Sequence, residues 1–226
     1  MICSRTTLSQ LALKFVGLRA ECDTCRACAH GSTRKQVVFA KGDPLSSLCF
    51  VGEAPGAEED ETGLPFVGDA GKLLDKQIAA MREYAAGIGV DFPASPYVCN
   101  VLKCRPPGNK LLSDGSDIAA CSAHLWTQLR LLPNLRVIVA LGKVASITLL
   151  GATEDSIPKR SAMTMEWLRK HAAADPPGAL PFKLEPYTHV RFWPTYHPAY
   201  LLRRRNDTAL HAEAWADLKR AVEALR

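Results

Sequence analysis

Four short runs of apolar residues punctuate the chain: Leu48–Val51, Tyr97–Val101, Val137–Leu141 and Val190–Trp193. Runs of this length, bounded by polar, Gly or Pro residues, predict strands buried on both faces. The stretches between them follow a different rhythm. Leu74, Ile78, Met81 and Ala85 recur every three or four residues and predict one helical stripe, with Asp69 as its N-cap. Helices are predicted likewise over 117–132 and 143–150. A last one, after Asp207, buries Leu210, Ala214, Leu218, Ala221 and Leu225. Near the start, Leu8, Leu11, Phe15 and Leu18 predict an amphipathic helix within residues 1–24, packed on the rest. Strands alternating with helices predict an α/β fold, a three-layer α/β/α arrangement on a central four-stranded parallel sheet, in a single domain over residues 1–226. Pro176, Pro177, Pro181 and Pro186 mark 172–187 as a surface loop inserted before the last strand.

A parallel sheet presents ligands beyond the carboxyl ends of its strands. The unusual polar and Pro/Gly-rich turns fall there: Gly52–Gly56 after the first strand, Asn100 and Lys103–Pro107 at the second, Thr195–Pro198 after the fourth. The Gly-rich turn lacks the G-x-x-x-x-G-K-[ST] spacing of a phosphate loop. Four consecutive acids, Glu58 to Glu61, would repel a phosphate and read as a solvated acidic loop.

Composition narrows the classes. Of 226 residues, 47% are hydrophobic and 23% charged, the balance of a folded globular chain. No run approaches the ~20 apolar residues of a membrane span. Lys and Arg number 28 against 23 acids, and the resulting +5 permits a polyanionic partner without requiring one. Lys14 interrupts the N-terminal apolar residues, no cleavage signature follows, and a reducing cytosol is the expected compartment.

The eight cysteines carry more information than their number. Cys25 and Cys28 form a C-x-x-C half-site, and so do Cys22 and Cys25; spacing alone does not choose between them. A zinc ribbon would repeat the motif ~15–20 residues later, which this chain does not. Cys104 and Cys121 lie far downstream instead. Four thiolates spaced in this way suit an iron–sulfur cluster. Cys49 and Cys99 sit inside predicted strands and read as small buried apolar residues.

Val51-Gly52-Glu53-Ala54-Pro55-Gly56, followed by Glu59-Asp60 and Thr62–Gly68, resembles the first motif of family-4 uracil-DNA glycosylases, the iron–sulfur members of that superfamily. Asn100–Asn109 resembles their second motif, Leu141–Ala145 their third and Thr195–Arg203 their fourth. The resemblance runs in order from about Cys25 to Arg203. Residues 156–187 depart from it, lacking the expected Arg-Gly pair. A related branch that crosslinks to DNA carries a basic insert after the second motif; Lys103–Leu112 has none.

The resemblance implies a monofunctional enzyme, a hydrolase of the uracil–deoxyribose bond in double- or single-stranded DNA, which starts base-excision repair as a cytoplasmic, nucleoid-associated monomer. It implies a [4Fe–4S] cluster on Cys25, Cys28, Cys104 and Cys121, excluding Cys22. Phe66 would stack on a flipped uracil, with Ala54 and Gly56 lining the same pocket. Asn100 would read the Watson–Crick edge, donating to O4 and accepting from N3–H. His197 would donate to O2 as negative charge develops there. Glu53 would position water or stabilise the cationic sugar, and Glu59 would sit near uracil C5 and reject thymine. Leu201 would fill the vacated stack, with Lys103, Arg105, Lys110, Arg203, Arg204 and Arg205 on phosphates. Two other classes compete: an iron–sulfur DNA-binding protein without activity, and a zinc-stabilised nucleic-acid binder.

Overall fold

A computed structural model describes residues 5–151, 161–172 and 189–226. The four apolar runs form β1 (Leu48–Gly52), β2 (Tyr97–Asn100), β3 (Val137–Leu141) and β4 (Arg191–Thr195). They make one all-parallel sheet in the order β2-β1-β3-β4. Alternate side chains go to opposite faces. Leu48, Phe50, Val98, Val137, Val139 and Leu141 pack beneath α4 (Asp69–Gly87) and α9 (Thr208–Glu223). Cys49, Val51, Tyr97, Cys99, Ile138, Ala140 and Phe192 pack against α5 (Ser116–Arg130) and α6 (Lys143–Leu150). Both faces are therefore covered, which is why the strands read as unbroken apolar runs. Cys49 and Cys99 are fully buried in this second core, as their strand positions predict.

β4 begins and ends later than its apolar run because it takes in Pro194. Among the described residues it is an edge strand, with no outer partner that needs the missing N–H. Asp69 is the first residue of α4, not its cap; Gly68 holds the cap position, and the Asp69 carboxylate pairs with Lys72 at 2.9 Å. The acidic run is not a loop but a short helix, α3 (Ala57–Thr62), in which Asp60 is buried and accepts the Lys35 N–H. At the other end, α1 (Arg5–Thr24) packs through Phe15, Leu18 and Cys22 on Val37 and Phe39, but Leu8 is exposed. α2 (His30–Thr33) follows it. The buried pair His30 Nε2–Asp117 Oδ2, 2.8 Å apart, fastens this segment to α5. A further helix, α7 (Ser161–Ala172), rests on β4 and α6. The predicted loop over 172–187 lies, beyond its first residue, outside the described residues.

Candidate active site at the carboxyl edge of the sheet

Three strand ends converge on a cleft of about 340 Å³. β1 delivers Gly52 and then Glu53; β2 delivers Asn100; β4 runs through Tyr196 into His197, the N-cap of α8 (Pro198–Arg203). The ladder continues past the strands, with Val101 N–H donating to Gly52 O at 2.9 Å and Leu102 N–H to Glu53 O at 3.0 Å. Glu53, Asn100 and His197 are thus fixed by sheet geometry, although the sequence separates them widely.

Asn100 is 2% exposed, and among the described residues no donor reaches its Oδ1. An acceptor left in this state costs ~1–3 kcal/mol, so this oxygen is open to a donor from outside the chain. Phe66 stands beside it. A Cβ on Gly52 would lie 2.4 Å from both Asn100 Oδ1 and Phe66 Cζ, so glycine is what lets the two side chains meet. Phe66 has φ 54°, a left-handed conformation that is strained for an aromatic residue. Two contacts hold it. Lys41 Nζ donates to Phe66 O at 2.9 Å, and the α4 backbone at Gly71 approaches so closely that a Cβ there would meet Phe66 O at 2.1 Å. The Phe66 and His197 rings face each other obliquely, with centroids 5.8 Å apart.

The His197 tautomer follows from its hydrogen bond. Ala199 N–H donates to Nδ1 at 3.1 Å, which leaves Nε2 to carry the proton of the neutral ring. Burial, then the Arg203 charge, pushes the imidazole down to about 4, against a smaller opposing pull from Glu59. Glu53 moves in the other direction: burial raises its carboxyl, the Asp117 charge adds to this, and Arg203 opposes it.

Ala54, Gly56 and Glu59 line the cleft, and so does Arg203, which the sequence assigns to phosphates. The Glu59 carboxylate is already engaged, however. Its Oε2 accepts from Gly56 N–H at 3.0 Å, and its Oε1 accepts from Val67 and Gly68 N–H at 2.9 and 3.0 Å. Arg105 is half-buried and donates through Nε to Asn109 Oδ1 on the rim. Arg204, Arg205 and Lys110 are exposed.

Two expectations fail. Leu201 is 1% exposed and packs with Ile147, Met165, Tyr196 and Leu210, so it cannot reach DNA; its neighbour Leu202, 39% exposed, is the outward side chain. Lys103 is also 1% exposed and so cannot contact a phosphate. Sequence reasoning missed Pro55, Ala70, Pro106, Asn109 and Ala199 in the cleft lining, and Lys41 behind Phe66. The first five lie within or just beyond the recognised motifs and were within reach of it. Nothing local to Lys41 signals its partner 25 residues away.

Behind β2, Cys25, Cys28, Cys104 and Cys121 line a second cavity, with Cys22 also on its wall. Arg34 Nη1 donates to Cys104 Sγ at 3.0 Å and Lys103 N–H to Cys121 Sγ at 3.3 Å. Burial raises the Cys104, Cys121 and Cys22 thiols, Cys121 to about 11 and Cys22 to about 12, with Lys103 pulling the last two back. Among the described residues no three His, Cys, Asp or Glu side chains form a single-ion site. Among the described residues, likewise, no helix is long and apolar enough to cross a membrane.

The sequence pattern of the uracil DNA glycosylase superfamily matches residues 39–219. The chain is 37% identical over 183 residues to the type-4 uracil-DNA glycosylase of Thermotoga maritima, covering 81% of this chain and 80% of that protein. It is 31% identical over 194 residues to the type-4 enzyme of Pyrobaculum aerophilum, covering 86% of each. Against the type-5 uracil-DNA glycosylase of Thermus thermophilus the match is 34% over 116 residues and covers 48% of this chain.

Proposed function

The chain belongs to the uracil DNA glycosylase superfamily, among its type-4 members, and from that premise we propose how its own residues perform the reaction. The enzyme hydrolyses the N-glycosidic bond between uracil and deoxyribose in DNA, the first step of base-excision repair. The bond C1′–N1 breaks, its electron pair leaves with uracil, and water oxygen adds to C1′.

The unsatisfied Asn100 Oδ1 is the observation that carries the reading. Uracil N3–H supplies the missing donor, and the same amide's N–H group meets O4; cytosine would present an acceptor to that oxygen instead. Phe66 stacks on the base. His197 donates from Nε2 to O2, where the leaving group's charge collects. A neutral donor is well matched to this task because it is already oriented before the bond breaks and its hydrogen bond strengthens as negative charge develops on O2. Glu53, with its carboxyl raised by burial, accepts from the attacking water. Glu59 acts indirectly by tying Gly56, Val67 and Gly68 into the loop that presents Phe66. Leu202 takes the place expected for Leu201 as the side chain that fills the vacated stack. Arg203, Arg204, Arg205, Arg105 and Lys110 hold phosphates of double- or single-stranded DNA, and the enzyme works as a monomer.

The cysteine cavity suits a [4Fe–4S] cluster on Cys25, Cys28, Cys104 and Cys121: four soft sulfurs share one cavity, and cationic Arg34 donates to one of them. Such a cluster would tie Cys25 and Cys28, between α1 and α2, to Cys104 beyond β2 and Cys121 in α5, and would supply structural bracing there.

Single-turnover excision on U:G and C:G duplexes, with abasic sites revealed by alkali, tests the base-reading assignment. Wild type should release uracil. Asn100→Asp keeps the acceptor but brings a charge to O4, and should lose uracil excision by at least ~10²-fold, with at most weak gain on cytosine. Uracil release at the wild-type rate by Asn100→Asp would remove Asn100 from the pocket chemistry.

A further inference from the structure

Lys103 is among the most deeply buried side chains of the protein, yet among the described residues it forms no ion pair with a carboxylate. Its Nζ donates to two neutral acceptors, Asn100 O at 2.7 Å and Gln128 Oε1 at 2.6 Å. Gln128 is itself fixed, because its Nε2 donates to Phe39 O at 3.2 Å and to Tyr97 Oη at 2.8 Å. Its oxygen is therefore turned to Lys103 by the surrounding fold. Two neutral dipoles do not offset the cost of taking an ammonium out of water, which is several kcal/mol. A negative group nearby would. Lys103 lies on the wall of the cysteine cavity, its own N–H donates to Cys121 Sγ, and Cys104 is the next residue.

We propose that Lys103 is the internal counter-cation of the cysteine site and the link from that site to Asn100. The proposal rests on the cluster reading above. An iron–sulfur cluster held by four thiolates carries net negative charge; Arg34 donates to Cys104 Sγ, and Lys103 lines the same cavity with its charge acting on the Cys22 and Cys121 thiols. Lys103 differs from Arg34 in what else it holds. The same ammonium fixes the Asn100 carbonyl, and with it the peptide from which the base-reading amide leaves the end of β2. Charge at the cysteine cavity thus holds the ammonium, and the ammonium holds Asn100. Lys103 is a positioning residue; it touches neither DNA nor uracil.

Two variants separate its two duties. Lys103→Gln removes the charge but keeps an N–H donor for Asn100 O. Lys103→Met removes both. The holoproteins are compared by iron content, by the ferricyanide concentration that half-bleaches the visible band, by single-turnover uracil excision and by DNA affinity. Loss of a nearby cation favours the more oxidised cluster, so both variants should bleach at severalfold lower ferricyanide. Lys103→Met should also excise uracil about tenfold more slowly at unchanged DNA affinity, the size of one lost charged hydrogen bond. Lys103→Gln should keep most of the rate. Gln128→Leu removes an acceptor but no charge, and should bleach like wild type. It also controls for packing should Lys103→Met not fold. Wild-type bleaching in Lys103→Gln would overturn the counter-cation role, as would equal sensitisation by Gln128→Leu. A wild-type excision rate in Lys103→Met would overturn the link to Asn100, and a matching loss of DNA affinity would overturn its role as a positioning residue. Iron-free, active wild type is a separate result, which would sink the cluster reading itself.

Discussion

His197 enters the cleft as a neutral imidazole because Ala199 N–H occupies Nδ1 and because burial and the Arg203 charge disfavour a cation. This has a consequence for stability with a definite sign. The folded pKa, about 4, lies below the ~6.5 of an unfolded histidine. Between those values the unfolded chain takes up a proton that the folded chain refuses, so stability falls as pH is lowered through that window, by at most ~3 kcal/mol. Glu53, with a raised carboxyl, contributes in the opposite sense and must be held constant. Urea unfolding at pH 7 and pH 4.5 should therefore show a larger loss for wild type than for His197→Gln. Equal losses would mean that the folded imidazole protonates freely. In the reaction, His197→Ala should cost ~10²–10³ in single-turnover rate, as for other donors to a developing anion, with DNA affinity changed far less.

Among the elements, α8 shows how a helix decides between neighbours of the same type. Leu201 and Leu202 are indistinguishable by composition, yet helical rotation turns one into the core beside Tyr196 and Leu210 and the other outward. Leu201→Ala should lower unfolding stability by ~2–5 kcal/mol, the range for truncating a buried leucine. Leu202→Ala should leave stability within ~0.5 kcal/mol, as for an exposed site, and slow excision more from duplex than from single-stranded DNA. The reverse pattern, read by chemical denaturation and excision rates, would restore Leu201 as the wedge. α3 carries a related lesson. Its acids look like solvated charge, but Asp60 is buried on Lys35 N–H and Glu59 staples three amides of the Phe66 loop.

On the scale of the whole molecule, the basic excess is unevenly used. Arg203–Arg205 leave α8 beside the cleft, with Arg203 in its lining and Arg204 and Arg205 exposed. Changing all three to Ala should weaken DNA binding regardless of sequence and make the slope of log affinity against log salt shallower, because fewer counterions are released. An unchanged slope would leave them as solvated surface. The cysteine cavity joins segments distant in the chain, so its loss should be felt globally. Cys28→Ser should remove iron and lower the unfolding temperature, whereas Cys22→Ser, whose thiol packs on Val37 and Phe39 beneath α1, should retain the visible band. Bleaching by Cys22→Ser would move the ligand set one cysteine toward the N-terminus.

The linear chain by itself determined the four strands, the helices α1, α4, α5, α6 and α9, and the motif residues that meet at the sheet's edge. Apolar runs of strand length need burial on both faces, helical stripes supply the cover, and the parallel sheet that results brings its strand ends to one side. Asn100, His197, Glu53 and Phe66 were legible on those terms, through their place at strand ends and the family motifs around them. Only the tertiary structure decided which side chains are exposed and what holds them. Lys103 and Leu201 look like surface contacts in a basic, DNA-directed motif, but burial depends on the elements packed over them: α5 brings Gln128 to the first, and the Ile147–Leu210 cluster encloses the second. The Phe66 backbone strain, Lys41 behind it and the vacant acceptor of Asn100 belong to the same class. Each is set by contacts between residues far apart in the chain, and a one-dimensional pattern records residue types and spacing but no distances between separated segments.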